Sequence, residues 1–237
     1  MIMNNKFRKI VTIGTIISSV LFIILTTFAM FLFPGGYSAN EVLYFTTSYQ
    51  FHLNFFSDLG MLVTETFLPN LPSSILFGTA TTLVGITFIL YSWTFPSYFD
   101  KKTPQRVWAI LGTVFAIISS IGYIMIGFTP WDRFIGLHMV GVFTGFPVST
   151  VFCAFFCIAI FLEKSYPNVY AWLFGIFTVC MVTYVIILFE GPSAATLNGR
   201  IFQVVAQKSI IYLMMILIFI QSIGTMQVLK KNEASKL

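Results

Sequence analysis

Charge is scarce in this chain. Eight Asp and Glu, 13 Lys and Arg and two His are spread over 237 residues, and charged side chains make up 9% of the total. A soluble domain of this length needs far more polar surface, because its surface-to-volume ratio leaves too little interior for the apolar remainder. Hydrophobic residues are 57% of the sequence and the mean hydropathy is +0.90. A soluble globular protein is therefore excluded. There is also no linker, no low-complexity tract and no stretch polar enough for a separate soluble domain.

Chemistry-bearing motifs are equally sparse. With only two histidines (His52 and His138) a catalytic zinc site has no spare ligand, and no HExxH spacing occurs. His52 and His138 with Asp58, Glu65 or Asp132 could supply three ligands, and neither a metal nor a cofactor is expected. Ser57 precedes Asp58, but no GxSxG elbow accompanies it. No glycine-rich phosphate loop, haem motif or flavin motif is present. The three cysteines, Cys153, Cys157 and Cys180, fall within apolar runs, which rules out an extramembrane disulfide and reads as helix packing.

What the chain does have is six long apolar runs: Ile10–Phe33, Ile75–Phe95, Val107–Phe128, Ile135–Leu162, Tyr170–Phe189 and Ser209–Leu229. A spanning helix needs about 20 apolar residues, and barrel strands alternate over about ten, so continuous runs of this length predict helices. The expected fold is all-α: residues 1–237 form one polytopic membrane domain, a six-transmembrane-helix bundle. The first run has a basic flank (Lys6, Arg8, Lys9), but Phe33, Pro34 and Gly35 follow it instead of a small-residue cleavage site. It is expected to be retained.

Basic residues set the orientation. With the N-terminus in the cytoplasm, 10 of the 13 fall on the inner side (Lys6, Arg8, Lys9, Lys101, Lys102, Arg106, Lys164, Lys230, Lys231, Lys236) and three on the outer (Arg133, Arg200, Lys208). The positive-inside rule then predicts both termini in the cytoplasm. The net charge of +5 is topology and not a nucleic-acid footprint, since the basic residues form no single patch. Glu41, Asp58, Glu65, Asp132, Glu190 and both histidines gather on the extracytoplasmic side.

The longest segment between runs, Pro34 to Ser74, opens on a PGGY turn signal. It continues through an amphipathic aromatic stretch, Phe51 to Phe67, expected to lie in the interface or fold back over the bundle. Pro147, after Gly141 and Gly145, predicts a kink in the fourth helix, and the two glycines predict close helix packing. The tryptophans fall near helix ends, as in an interfacial belt.

Polar residues close to apolar runs mark the candidate site, because such groups are costly unless they face a cavity or each other. They are His52, Asn54, Ser57, Asp58 and Glu65 from the amphipathic stretch, Asp132, Arg133 and His138 at the start of the fourth helix, and Arg200, Gln203, Gln207 and Lys208 leading into the sixth. Two readings compete: an outward polar pocket for a lipid headgroup, with Arg133, Arg200 and Lys208 available to phosphate, or a solvated rim with internal salt bridges. Asp58 and His138 stand out because each sits within an apolar run.

Three stretches resemble the DRAM-like superfamily of six-helix membrane proteins (damage-regulated autophagy modulators and relatives). They are FFSDLG at Phe55–Gly60 followed by SSILFG at Ser73–Gly78, the third-helix end at Gly122–Phe128 followed by LHMVG at Leu137–Gly141, and the polar lead-in around Gln203–Ser209. A bacterial and archaeal membrane family of unknown function numbered 998 is similar to about the same degree. The resemblance implies a six-helix fold, a link to lipid processes (GPI-anchor remodelling, phosphoinositide signalling, autophagy), and motif positions at Ser57, Asp58, Gly60 and His138. Where the family often carries an acidic-aromatic pair, this chain reads Gln207-Lys208.

The expected function is non-enzymatic binding or organising of a membrane lipid through the outward pocket. An intramembrane hydrolase or acyltransferase using Asp58 and His138 is the first alternative, and a small-solute or proton-coupled transporter the second. Membrane lipids are the expected partners, nucleic acid is not, and a homo-oligomer or a partner membrane protein is compatible with the sequence. The three functions differ in what they need. An enzyme needs a third group beside Asp58 and His138, a transporter needs polar groups past the midplane, and a lipid binder needs an apolar slot beneath the polar ones.

Overall fold

The computed structural model describes residues 3–234; Lys236, counted above among the inner basic residues, lies outside them. Six helices make up the body: α1 (Asn5–Leu32), α2 (Leu71–Thr94), α3 (Pro104–Phe128), α4 (Trp131–Phe161), α5 (Asn168–Glu190) and α6 (Leu197–Ala234). Each is long and apolar enough to cross a membrane. Their starts follow local chemistry. Asn4 caps α1 by accepting the Lys6 N–H, Pro72 and Pro104 occupy first-turn positions that need no N–H, and Pro130 and Pro167 immediately precede α4 and α5.

Each helix packs on its sequence neighbours, and α1 closes on α6, so the bundle is a ring. An even number of helices brings both termini to one end, where Lys9 pairs with Glu233 at 2.7 Å. In that half the interior is filled by an aromatic pile of Phe88, Tyr91, Phe95, Phe152, Phe156 and Phe174. Three of the four tryptophans (Trp93, Trp108, Trp172) also belong to the helix ends at this side.

The largest departure from the apolar-run bounds is α6, which begins at Leu197 and not near Ser209. Its first three turns are polar on one face, with Arg200, Gln203 and Gln207 at helical spacing, and that face turns inward against the loops. The non-helical residue in α4 is Phe134 (φ −130°, ψ 48°), whereas the helix continues through Pro147. Tight packing of α3 on α4 holds the helix there.

That packing rests on glycine. A Cβ on Gly122 would lie 2.6 Å from the Gly145 nitrogen and 2.9 Å from the Gly141 carbonyl oxygen. Both are backbone atoms, which cannot turn aside. Gly122→Ala is expected to lower stability by about 1–3 kcal/mol through forced separation of α3 and α4. Thermal unfolding in detergent checks it, with Gly14→Ala, where a Cβ meets nothing within 4 Å, as the unaffected control.

The segment between α1 and α2 folds back over the open end of the ring as a roof. It contains a two-residue-turn hairpin, β1 (Tyr37–Ala39) with β2 (Val42–Tyr44), and a 3-10 helix at Phe56–Gly60. Gly35 and Gly36 enter the hairpin at φ +97° and +93°, and a side chain at Gly36 would collide with Thr66. Phe56 is the plug. It stacks on Phe22 of α1 and meets Phe77 of α2 and Tyr212 of α6. The far end of the roof is sewn to α2: the Ser73 and Ser74 hydroxyls donate to the carbonyls of Leu59 and Gly60 (3.1 and 2.8 Å), and the Asn70 amide donates to that of Met61 (2.9 Å).

Candidate functional site

Asp58 is placed by its own turn. One carboxylate oxygen, Oδ2, accepts the N–H of Phe55 three residues back (2.8 Å), the backward half of a capping box. Oδ2 also accepts from the Asn54 amide and from Arg200 Nη2, each at 3.3 Å, while Oδ1 accepts the Trp131 indole N–H at 3.1 Å. The side chains of Asp58 and Arg200 are 1% and 5% exposed. Sequence reasoning assigned Trp131 to an interfacial belt; its neighbour Asp132 held the only hint of a role at the roof.

Arg200 reaches across from α6 and uses its full fork. Nε donates to the Leu53 carbonyl, Nη1 to the Ser38 carbonyl and to Glu65, and Nη2 to Asp58 and to the same Glu65 oxygen. Glu65 in turn accepts the Ser38 N–H. The rings of Phe55 and Tyr37 lie within 5.3 and 5.7 Å of the guanidinium. Lys208, two turns on, is 2% exposed and donates to the carbonyls of Phe51 and Asn54, with the faces of Tyr49 and Phe51 about it. Arg200 and Lys208, available to phosphate by the sequence reading, are engaged in fastening the roof, Arg200 with all five N–H groups and Lys208 with two of its three, because buried cations must find partners. Arg133, with a side chain 56% exposed, pairs among the described residues with its neighbour Asp132 alone.

The other predicted residues divide. Asp132 accepts the N–H groups of Leu62 and Val63 (3.1 and 3.2 Å), tying the start of α4 to the roof. Gln203 donates to the Ile187 carbonyl at 2.9 Å and so caps α5. Gln207 accepts the Phe56 N–H at 2.8 Å. His52 is exposed on the roof and lines neither of the cavities described next. Among the described residues no three of His, Cys, Asp and Glu converge on a point able to hold a metal ion.

Two cavities lie beneath the roof. The outer has a volume of about 470 Å³ and is bounded by Ser57 and Asp58 of the 3-10 helix, by Trp131, Ile135 and His138 of α4, by the end of α5 with Gly191–Ala194, and by Arg200, Gln203 and Gln207. The inner is narrower, about 60 Å³, and almost wholly apolar, lined by Phe22, Phe77, Phe88, Tyr123, Phe146, Phe152, Met214 and their neighbours. Ser57, His138, Val142 and Gln207 line both. His138 Nδ1 is 2.8 Å from the Thr129 carbonyl. A carbonyl only accepts, so Nδ1 carries the proton and Nε2 keeps its lone pair. Tyr123, absent from the sequence-based set, hydrogen-bonds Ser149 (2.9 Å), which meets Ser119 (2.8 Å).

Burial pushes the Asp58 carboxyl up to about 6, and the nearby Glu65 charge adds to this; Arg200, Asn54 and the Phe55 N–H pull the other way without cancelling it. A carboxyl raised on folding binds its proton more readily in the native state. Its contribution is therefore full below the ordinary carboxylate range and is lost as pH rises through about 6. Unfolding midpoints are expected to fall as pH rises from about 4 to about 6, the window between the ordinary and the folded values, and Asp58→Asn is expected to flatten that slope. A slope unchanged in Asp58→Asn would assign it to another group.

Comparison with protein-family models, with curated proteins and with solved structures finds no match to this chain.

Proposed function

We propose that this chain is an integral membrane protein that binds a membrane lipid non-enzymatically, headgroup in the outer cavity and leading part of the apolar tail in the inner one. The observation that carries the reading is the shared wall of Ser57, His138, Val142 and Gln207: the chamber that carries the polar groups Asp58, Glu65, Arg200 and Gln203 adjoins an almost wholly apolar one across these four residues. That is the arrangement an amphiphile needs, a few polar anchors above an apolar slot. In this reading the termini are cytoplasmic, the roof is extracytoplasmic, and kinship with the DRAM-like superfamily rests on Ser57, Asp58, Gly60 and His138.

The alternatives have less behind them. An enzyme built on Asp58 and His138 would need a free carboxylate, but both Asp58 oxygens already accept hydrogen bonds within the protein. A transporter would need a way past the aromatic pile of Phe88, Phe152 and Phe156.

The test is to purify the protein in mild detergent, extract it and identify retained lipid by mass spectrometry. Stoichiometric lipid is expected in wild type and loss of it in Val142→Phe, which fills the shared wall. A cooperatively melting wild-type protein with no retained lipid would overturn the proposal.

A further inference from the structure

We infer that the lipid headgroup taken at this site is uncharged and carries a free hydroxyl, as in an acylglycerol or a sterol, and is not a phosphate. The inference rests on the lipid-binding reading and narrows its ligand.

The argument is a count of what the site still has to offer. Arg200 has five N–H groups, and all five are directed at protein acceptors: two carbonyls, Asp58 once and Glu65 twice. Lys208 gives two of its three to carbonyls, sits among the rings of Tyr49 and Phe51, and does not line the cavity. Arg133 does not line it either. The charged side chains that do are Asp58, Glu65 and Arg200, a sum of −1 with both acids ionised. A phosphate entering here would meet net negative charge and no unspent cationic donor, in surroundings that strengthen the repulsion.

The groups without partners are of another kind. Among the described residues, Ser57 Oγ, His138 Nε2 and Gln207 Nε2 make no hydrogen bond, and all three residues line both cavities. Nε2 of His138 is an acceptor, fixed as such by the Thr129 carbonyl on the other nitrogen. Gln207 Nε2 is a donor, since its Oε1 holds the Phe56 N–H. One acceptor, one donor and one group able to do either match a hydroxyl, which donates once and accepts. They do not match a dianion, which only accepts. The apolar cavity begins at the same three residues, so the tail continues directly from the hydroxyl-bearing carbon.

A matched pair of probes tests this: dioctanoylglycerol and dioctanoyl phosphatidic acid, which differ only by a phosphate on the same oxygen, titrated into wild-type protein in nanodiscs. Binding of dioctanoylglycerol is expected at least tenfold tighter than of the phosphatidic acid, with at least a tenfold loss in His138→Phe and a smaller loss in Ser57→Ala. Displacement by cholesterol at a lower concentration than dioctanoylglycerol needs would assign the hydroxyl to a sterol; the reverse order would assign it to an acylglycerol. Equal or tighter binding of the phosphatidic acid would overturn the headgroup inference and leave lipid binding standing. Binding of neither probe nor cholesterol by protein that still melts cooperatively would overturn both. Glu41→Ala, on the exposed hairpin turn, serves as the variant that changes nothing.

Discussion

Arg200→Ala is expected to cost about 3–5 kcal/mol, the range for removing one partner from a buried charge pair. The loss is not the strength of the pair itself. Two carboxylates, Asp58 and Glu65, are left facing one another without a counter-ion, and the carbonyls of Leu53 and Ser38 lose their donor. Arg200→Lys restores the charge but cannot direct five donors at once, so a partial rescue is expected. In the Asp58→Asn background the same Arg200→Ala change is expected to cost less, because one of the two stranded charges is gone. Thermal unfolding of the four proteins in detergent gives the cycle. An Arg200→Ala midpoint equal to wild type would mean that the roof is not held by this network.

Phe56→Ala tests the roof by different physics. Phe56 is 1% exposed and touches α1, α2 and α6 through Phe22, Phe77 and Tyr212. Its removal is expected to cost about 3–5 kcal/mol, the usual penalty for deleting a buried aromatic ring. The ring also forms part of the wall of the inner cavity, so the space it leaves joins that cavity. A bulky apolar guest that enters the enlarged space is expected to restore part of the lost stability, which a melt with and without benzene measures. Phe56→Leu, which keeps most of the volume, is expected to lose much less. Equal losses in Phe56→Leu and Phe56→Ala would mean that ring volume is not what matters.

How far the sequence carried is clear from particular residues. The six helices were legible because run length alone separates a spanning helix from a strand. The roof was legible as a segment too polar to span and too apolar to float. The polar start of α6 was not, because a hydropathy criterion ends where Arg200, Gln203, Gln207 and Lys208 begin, and only their spacing pointed to a helix. All twelve candidate residues lie near the roof, but their roles could not be read. A sequence shows that Arg200 and Lys208 carry charge and not which groups have already claimed it; their partners lie 135 to 162 residues away. The hydrogen bond of Trp131 was illegible for the same reason: its partner, Asp58, is 73 residues earlier. The reverse signal, a polar atom left without a partner at Ser57, His138 and Gln207, exists only once the chain is folded.

The same long separations have a consequence for biogenesis. A ribosome makes the roof early and Arg200 and Lys208 near the end. Until those two residues emerge, Asp58 and Glu65 lack the Arg200 counter-ion and the carbonyls of Phe51 and Leu53 have no donor. The first five helices can form and pack in order, each beside the one before, but the roof cannot lock until the sixth arrives and closes the ring against α1. The last helix is therefore the checkpoint of assembly, and a nascent chain stalled before Leu197 is expected to expose its roof to protease where the finished protein does not.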